Sequence, residues 1–256
     1  MVGNVCIVTG SATGIGAACA IELARRGWCT VINFTKSEAE AQQTARECEK
    51  HGGETLLVRA DVSQDADCRR MAAATLEKWG RIDGLINNAG TTKVAFDHAD
   101  LEALSAEDFQ KIYAVNVVGA FQMIRAVEPT MRQQGRGSVV NVSSRAGIDS
   151  IGTSIAYAAS KGALNTMTMG LARALGPQIR VNAVCPGFVE TRWLQEAIGD
   201  RYDQARARFA SNSALQKTSS PEDIADVVVW LLTGGPTVTG ELILVDGGNR
   251  LGPPPR

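Results

Sequence analysis

Short hydrophobic runs alternate along the chain with longer segments in which apolar residues recur at helical spacing. The first run, Val5 to Thr9, is followed by the glycine-rich turn GSATGIG and by the amphipathic stretch AACAIELARRG. Short apolar runs bounded by turn residues favour strands, and apolar positions three and four residues apart favour helices. The start of the chain therefore predicts a strand, a tight turn and a helix.

The same alternation continues to the end of the chain. The predicted strand and helix pairs are TVINF with SEAEAQQTARECEKHG, ETLLVRADV with DADCRRMAAATLEKWG, IDGLINNAG with one long helix SAEDFQKIYAVNVVGAFQMIRAVEPTMRQQG, SVVNVSS with AYAASKGALNTMTMGLARALG, and IRVNAVCPG with a polar helical stretch from Trp193 to Phe209. A helix capped by Ser220 and Pro221 and the run ELILVDGG close the series. Repeated strand and helix units predict an α/β fold, a doubly wound Rossmann-type parallel sheet with helices on both faces.

Composition narrows the classes of partner. The formal net charge of -1 provides no one-signed field for nucleic acid or an anionic membrane, so a small-molecule partner is favoured. No apolar stretch approaches the length of a membrane span. The six cysteines form no C-x-x-C pair and lie mostly in apolar segments. They are expected to be small buried residues rather than metal ligands or disulfide partners, which predicts no metal site and a cytoplasmic location.

Gly10, Gly14 and Gly16 follow the first predicted strand directly. A turn without side chains at that place lets backbone N–H groups and a helix N-terminus approach a pyrophosphate. Their spacing, G-x-x-x-G-x-G, differs from the usual G-x-G-x-x-G pattern, and a plain strand-to-helix turn is the alternative. The position in the first strand–helix unit favours a dinucleotide-binding turn.

Several motifs together resemble those of the short-chain dehydrogenase/reductase family. TGSATGIG (9–16) resembles its TGxxxGxG motif, and NNAG (87–90), PGFVET (186–191) and VTGELILVDGG match its later segments. Asn116, Ser144, Tyr157 and Lys161 match its Asn-Ser-Tyr-Lys tetrad in order and spacing. The resemblance covers nearly the whole chain. It implies an NAD(P)(H)-dependent oxidoreductase for a carbonyl or alcohol substrate, similar to 3-oxoacyl-thioester reductases and carbonyl reductases, and a homotetramer or homodimer.

Tyr157 and Lys161 are four residues apart in a predicted helix, so their side chains project from one face. A nearby ammonium is expected to lower the phenol pKa from about 10, which would let Tyr157 give or accept the carbonyl proton. Ser144, at a strand end, would hydrogen-bond the substrate oxygen, and Ser143 is the adjacent alternative. The resemblance implies that Asn116 helps to anchor a water beside Lys161 and that Lys161 also holds the nicotinamide ribose.

Cofactor preference depends on the end of the second strand, where NAD-binding proteins carry an acid for the ribose 2′-hydroxyl. Phe34 stands at that place, and Thr35, Lys36 and Ser37 follow it. Lys36 could contact a 2′-phosphate, so NADP(H) is the preferred cofactor and NAD(H) a possible one. A solvated lysine is the alternative for Lys36, and Thr13 stands where many NADP-preferring relatives have a basic residue.

The predicted cofactor-binding set combines the glycine turn, the strand ends and the catalytic pair. By resemblance, Asp61 and Val62 would border adenine. The full set is Gly10, Thr13, Gly14, Ile15, Gly16, Phe34, Thr35, Lys36, Ser37, Asp61, Val62, Asn88, Ala89, Gly90, Tyr157, Lys161, Pro186, Gly187, Val189 and Thr191.

Residues 1–256 are expected to form a single dinucleotide-binding catalytic domain, because no repeat or Pro/Ser-rich linker interrupts the pattern. Within it, residues 188–216 are predicted to be a substrate lid and residues 251–256 a tail. The lid mixes acids with four arginines, which predicts a solvated helix, and contact with an acyl carrier is the alternative. Those arginines are Arg192, Arg201, Arg206 and Arg208.

The two histidines are expected to have no catalytic role. His51 is expected near a helix end, and His98 in a solvated loop. A hydrolase triad of His98 with Ser144 is disfavoured, because Ser144 lacks the G-x-S-x-G elbow and no histidine follows it.

Two alternatives to a dehydrogenase remain at this stage. One is a non-catalytic nucleotide-sensing or scaffold protein on the same fold, against which the intact tetrad argues. The other is a sugar-nucleotide epimerase or dehydratase on the related extended fold. The short region after Pro186 leaves little room for the substrate domain of that class.

Overall fold

Seven parallel strands form one sheet in the order β3-β2-β1-β4-β5-β6-β7. The computed structural model describes residues 3–254. The strands are β1 (Val5–Val8), β2 (Cys29–Phe34), β3 (Thr55–Arg59), β4 (Gly84–Asn87), β5 (Gly137–Val142), β6 (Ile179–Pro186) and β7 (Leu242–Val245). The predicted parallel α/β fold is confirmed.

Helices connect the strands on both faces of the sheet. They are α1 (Gly14–Arg25), α2 (Glu38–Lys50), α3 (Asp65–Trp79), α4 (Ala106–Tyr113), α5 (Ala120–Gln133), α6 (Ala146–Asp149), α7 (Ile155–Leu175), α8 (Arg192–Ile198), α9 (Tyr202–Ser211) and α10 (Pro221–Thr233). Single 3₁₀ turns occur at Leu101–Ala103, Gly199–Arg201 and Asn249–Leu251.

Strand β1 shows how the sheet divides the core. Successive strand residues point to opposite faces. Val5 and Ile7 belong to the apolar cluster on one face, and Cys6 and Val8 to the cluster on the other. All four are fully buried, as a central strand covered on both sides requires.

Polar caps fix the starts of the helices that matter most for the site. The Ser154 hydroxyl accepts a hydrogen bond from the Tyr157 N–H at 3.2 Å and begins α7. Ser220 begins α10 in a reciprocal capping box with Asp223, and Pro221 takes the first helical position. The predicted Ser220 cap is confirmed, and His51 ends α2 as expected.

Two predicted helices have different forms in the structure. The long helix after β4 contains a π-helical turn, Ala114–Gly119, between α4 and α5. The stretch from Trp193 to Phe209 is divided into α8 and α9 at Gly199, whose φ of 62° ends the first helix. Of the predicted tail, Leu251 ends a 3₁₀ turn, and 255–256 lie outside the described residues.

All six cysteines are buried and unpaired, which confirms the prediction made from their apolar surroundings. Within residues 3–254, no helix is both long enough and apolar enough to cross a bilayer.

Candidate active site

A cleft of about 1320 Å³ opens at the carboxyl ends of the strands. It lies where the strand order reverses, between β1, which leads outward to β2, and β4, which leads outward to β5. Ligands of doubly wound sheets collect at such a reversal. The glycine turn after β1, the loop after β4 and the start of α7 all contribute to its wall.

Nearly all of the predicted site residues line this one cleft. Gly16, Ser37 and Asn116 do not. Those that do are Gly10, Thr13, Gly14, Ile15, Phe34, Thr35, Lys36, Asp61, Val62, Asn88, Ala89, Gly90, Ser144, Tyr157, Lys161, Pro186, Gly187, Val189 and Thr191.

The glycine turn needs its glycines for two different reasons. Gly10 and Gly14 both have a φ of 60°, a conformation that side chains disfavour. Gly16 lies beneath the turn, where an added Cβ would come within 2.6 Å of the Gly10 carbonyl oxygen. Gly16 therefore packs the turn, whereas Gly14 faces the cleft with Thr191 opposite it.

Two asparagines that border the turn hold it in place. Asn88 Nδ2 donates to the carbonyl oxygens of Thr9 and Gly10 at 3.0 and 2.9 Å, and Thr9 Oγ1 accepts from the Asn88 N–H at 2.9 Å. Asn33 Oδ1 accepts from the Gly10 N–H at 2.9 Å. Asn33 was not predicted as a site residue, because one asparagine inside an apolar strand gives no signal in a single sequence.

The start of α1 can receive an anion. Thr13 is its N-cap residue but makes no side-chain capping hydrogen bond, and the first turn has no acidic residue. Helix N-termini leave backbone N–H groups without partners and carry partial positive charge. The turn and this helix end therefore fit the phosphates of a dinucleotide.

Lys161 is 4% exposed and lies beneath Tyr157. Its Nζ donates to the Val142 carbonyl oxygen at 2.9 Å and lies 5.7 Å from the centre of the Tyr157 ring. Burial lowers the pKa of Lys161 to about 8. The ammonium form therefore predominates at neutral pH. Because its pKa is only about one unit above neutral, changes in its surroundings can change its protonation.

The Tyr157 phenol differs from the expectation based on the neighbouring ammonium. Burial raises its pKa to about 12, while the Ser144 side chain acts in the opposite direction. The expected lowering by Lys161 is therefore wrong for this structure. Loss of solvation is the larger effect, and Lys161 Nζ is directed to the Val142 carbonyl rather than to the phenol oxygen.

The two adjacent serines have different surroundings. Ser143 is buried, and its hydroxyl donates to the Lys161 carbonyl oxygen at 3.3 Å. The Ser144 hydroxyl accepts from the Ala146 N–H at 3.1 Å, which leaves its proton free to donate. This geometry favours Ser144 over Ser143 as the hydroxyl that faces a substrate.

Asn116 lies behind the cleft in the π-helical turn. Its Oδ1 accepts from the Thr91 N–H at 2.8 Å, and its Nδ2 donates to the Thr91 carbonyl and the Ser160 hydroxyl, both at 3.0 Å. A Cβ on Gly90 would lie 3.4 Å from Asn116 Oδ1 and 3.7 Å from Lys161 Nζ. The Asn116 side chain thus fixes the loop after β4 against α7.

The end of β2 carries basic rather than acidic side chains. Phe34 is buried and lies opposite Arg59 in the β2–β3 register. Lys36 lines the cleft and is exposed, and Arg59 Nε donates to the Thr35 carbonyl oxygen at 3.1 Å. Arg59 was not predicted, because its proximity depends on strand pairing.

The four arginines of residues 188–216 are exposed, as predicted for a solvated segment, whereas the prediction for His98 is wrong. Arg192, Arg201 and Arg208 line the cleft, and only Arg206 among the four lid arginines does not. His98 is half-buried rather than solvated, and its Nε2 is buried without a hydrogen-bond partner among residues 3–254. The mixed charges of residues 188–216 do not indicate which of these arginines face the cleft.

Comparisons with known proteins find relatives along nearly the whole chain. The sequence profile of the family described as "Enoyl-(Acyl carrier protein) reductase" matches residues 10–250. A protein of Streptomyces violaceoruber named as ketoacyl reductase 2 of the granaticin polyketide synthase is 42% identical over 247 residues, which is 96% of each chain. The 3-oxoacyl-[acyl-carrier-protein] reductase FabG of Thermotoga maritima is 36% identical, over 96% of this chain and 97% of that protein.

A solved structure is similar to this chain over nearly its whole length. NAD⁺-bound xylitol dehydrogenase superposes with a TM-score of 0.87 at 28% identity, over 96% of this chain and 99% of that chain. Since the profile and these relatives span nearly the entire sequence, the non-catalytic and extended-fold alternatives are set aside. This chain belongs to the short-chain dehydrogenase/reductase family of oxidoreductases.

Proposed function

We propose that the protein interconverts a carbonyl compound and the corresponding secondary alcohol with NADP(H), and that Tyr157, Lys161, Ser144 and Asn116 are the residues responsible. The observation that carries this proposal is a buried Lys161 ammonium beneath the Tyr157 ring, with the Ser144 hydroxyl at the same wall of the cleft. Lysine is rarely buried without an opposite charge, so its placement here indicates a chemical role.

In the direction of reduction, Ser144 and Tyr157 have different roles. The bound nicotinamide supplies the hydride. Ser144 donates a hydrogen bond to the carbonyl oxygen and stabilises the negative charge that develops there. The Tyr157 hydroxyl transfers its proton to that oxygen and completes the alcohol. In the other direction, the deprotonated Tyr157 oxygen accepts the alcohol proton, so oxidation requires Tyr157 first to lose its own proton.

Lys161 and Asn116 support this proton transfer. Burial sets the pKa of the resting phenol, but the ammonium 5.7 Å from the ring centre would still stabilise the phenolate once the proton has left, and it would hold ribose hydroxyls of the cofactor. The Asn116 side chain is occupied by Thr91 and Ser160, which supports a positioning role. Anchoring of a water beside Lys161 by Asn116 remains part of the proposal.

NADP(H) is proposed over NAD(H) because the end of β2 lacks a carboxylate. Phe34 stands where one would bind the ribose 2′-hydroxyl, and Lys36 and Arg59 provide cations nearby. The xylitol dehydrogenase relative was solved with NAD⁺, so binding of NAD(H) is a second possibility for measurement.

The other cofactor contacts follow from the cleft lining. The glycine turn and the start of α1 would hold the pyrophosphate, Asp61 and Val62 would border adenine, and the segment from Pro186 to Thr191 would border the nicotinamide. Gly16 would act from beneath the turn, and Ser37 would act beside Lys36.

Assembly, location and domain organisation complete the proposal. We expect a homotetramer or homodimer, supported by exposed apolar side chains on the α4–α5 and α7 segments: Phe109, Val118, Phe121 and Met169. Six unpaired cysteines support a reducing, cytoplasmic setting. One catalytic domain with a lid over 188–216 is consistent with the single sheet.

The test is a screen of ketones, aldehydes and acyl thioesters with NADPH and with NADH, followed by nicotinamide absorbance. Tyr157→Phe should lose nearly all turnover on any active substrate while keeping its NADPH affinity, because only the transferable proton is removed. Tyr202→Phe is the matched control, since the Tyr202 ring packs on Phe188 and its loss of a hydroxyl should leave turnover near normal. Near-normal turnover in folded Tyr157→Phe would reject the assignment.

A further inference from the structure

One face of α9 and its flanking residues forms a wall of the cleft. The residues that line it are Arg201, Gln204, Ala205, Arg208, Phe209 and Asn212. Steps of three and four residues place all six on one side of a helix. The four polar members of this face, Arg201, Gln204, Arg208 and Asn212, are all hydrogen-bond donors.

The charges of this segment are segregated between its two sides. Asp200 and Asp203 do not line the cleft, and Arg206 pairs with Glu190 at 2.8 Å away from it. Within residues 3–254, neither Arg201 nor Arg208 takes part in an ion pair. The unpaired Arg201 and Arg208 therefore line the cleft, whereas the neighbouring aspartates do not.

Basic residues also outnumber acidic ones in the rest of the cleft lining. Asp61 is its one acidic lining residue among those described, and the Asp61 carboxylate already accepts hydrogen bonds from Ser63. Lys111 of α4 lines the cleft without an ion pair among the described residues. For a protein whose net charge is -1, this concentration of positive charge is local and attracts anions.

Packing holds the α9 face towards the cleft. Phe188, just beyond the Pro186–Gly187 segment, lies between the rings of Tyr202 and Phe209, with centroid distances of 5.5 and 5.6 Å. Asn249 Nδ2 donates to the Phe209 carbonyl oxygen at 2.9 Å. Both ends of α9 are therefore fixed to the strand ends that carry the site.

Exposed aromatic side chains adjoin both Tyr157 and Arg201. Trp193 is 43% exposed, and its ring centre is 6.4 Å from that of Tyr157. Phe96 is 41% exposed, and the Arg201 guanidinium lies over its ring at 5.9 Å. Trp193 and Phe96 line the same cleft as Tyr157, Arg201 and Arg208, so exposed aromatic surface is available both beside Tyr157 and beside a cation.

We propose that the substrate is a carbonyl compound with an apolar spacer and an anionic group at its far end, which Arg201 and Arg208 bind. Guanidinium groups bind carboxylates and phosphates through strong, charge-assisted hydrogen bonds. The inference rests on the proposed carbonyl chemistry at Tyr157 and adds the substrate class. The anion is either a carboxylate of the substrate itself or a phosphate of a thioester carrier arm.

The first experiment compares acids with their methyl esters. The series 4-oxopentanoate, 5-oxohexanoate and 7-oxooctanoate varies the spacer, and each ester removes only the charge. Wild-type kcat/KM for the best acid should exceed that of its ester on the order of 10- to 100-fold, as expected for a charge-assisted contact. The Arg201→Gln/Arg208→Gln double variant should abolish this preference, so that the ratio of kcat/KM for acid and ester falls to about 1. Arg206→Gln, the control on the other side of α9, should keep it.

A thioester arm identifies the source of the charge. Acetoacetyl-phosphopantetheine and acetoacetyl-pantetheine differ only in the phosphate. A preference for the phosphorylated compound that disappears in the double variant supports the anion site and assigns it to a carrier arm. An acid preference with no phosphate preference supports the site and assigns it to a keto acid.

Binding measurements separate this inference from the proposed function. Calorimetry of heptanoate with the protein needs no turnover, so it applies even if no carbonyl compound in the screen reacts. Binding to wild type that is lost in the double variant supports the anion site. Equal heptanoate binding by the two proteins overturns it, and so does the absence of heptanoate binding together with no preference for the phosphorylated thioester. A weaker NADPH affinity in the double variant would assign the guanidinium groups to the cofactor and also overturn it.

Discussion

The Arg192 guanidinium and the Glu40 carboxylate are 3.2 Å apart, and this ion pair joins α8, part of the proposed lid, to the first turn of α2. Arg192 lines the cleft, whereas Glu40 lies outside the lining. Hydrogen bonds from the backbone N–H of Glu40 and from Arg192 hold the pKa of the Glu40 carboxyl below its usual range. The pair therefore ties the lid to the side of the cleft where the cofactor is proposed to bind.

Glu40→Gln should accelerate NADPH dissociation without unfolding the protein. Solvent screens this exposed ion pair, so the rate should rise only by a factor of roughly 1.5 to 5. Stopped-flow displacement of NADPH measures it. Glu47→Gln on the same helix is the control, because Glu47 pairs with Lys50 instead of the lid. Identical dissociation rates in wild type and Glu40→Gln would show that the pair does not restrain the lid.

The buried ammonium should make stability depend on pH. The pKa of Lys161 is lowered to about 8 from 10.5, so between these values the unfolded chain binds a proton that the folded protein has released. Stability contributed by this group therefore rises as pH increases through that window. At neutral pH, burial of the charge costs on the order of 3 kcal/mol.

Lys161→Met removes this titration and isolates its effect. The difference in unfolding free energy between Lys161→Met and wild type should favour the variant at neutral pH and shrink as pH rises above 8. Urea unfolding across that range measures it, with exposed Lys50→Met as the control. Parallel pH profiles for wild type and Lys161→Met would contradict the lowered pKa. The variant should also lose turnover and NADPH affinity.

Gly14→Ala should weaken NADPH binding by more than its effect on stability explains. The alanine methyl would project towards Thr191 across the cleft, where the phosphates are proposed to lie. Gly80→Ala is a closely matched control, because Gly80 has a similar φ of 70° and open space around it at the end of α3. Each substitution should cost roughly 1–2 kcal/mol of stability, because it places a Cβ in the left-handed region. Equal NADPH affinity in both folded variants would exclude Gly14 from the binding site.

Lys36→Ala should weaken NADPH much more than NADH. A charge-assisted contact to a 2′-phosphate contributes about 1.5–3 kcal/mol, which corresponds to roughly one to two powers of ten in affinity. Dissociation constants must be compared at one ionic strength, because salt screens an exposed contact. Lys50→Ala controls for net charge. Tighter wild-type binding of NADH, with Lys36→Ala affecting both cofactors equally, would make Lys36 a surface lysine.

The sequence predicts the parts of the site whose signal is local. Gly10 and Gly14 follow a recognisable strand, and Tyr157 and Lys161 share a helix face, so their positions in the cleft could be anticipated. Asn33 acts across neighbouring strands and gave no such signal.

The remaining differences between prediction and structure arise from tertiary packing and from side-chain orientations that the charge pattern does not specify. The raised pKa of Tyr157 results from burial, which depends on how the lid and loops enclose the ring. The arginine face of α9 was visible as spacing, but treating the lid as one solvated helix obscured it.

The contacts between Thr9 and Asn88 have a consequence for protein engineering. They connect loops 79 residues apart in the chain, and Asn88 also holds the Gly10 carbonyl. The second loop continues through Gly90 and Thr91 to Asn116 and the neighbourhood of Lys161. A graft that exchanges only the phosphate turn must therefore place the Thr9 hydroxyl and the two carbonyl oxygens as they lie here, or it disturbs the catalytic side as well. Cofactor redesign should therefore transplant both loops together, or confine its changes to the end of β2.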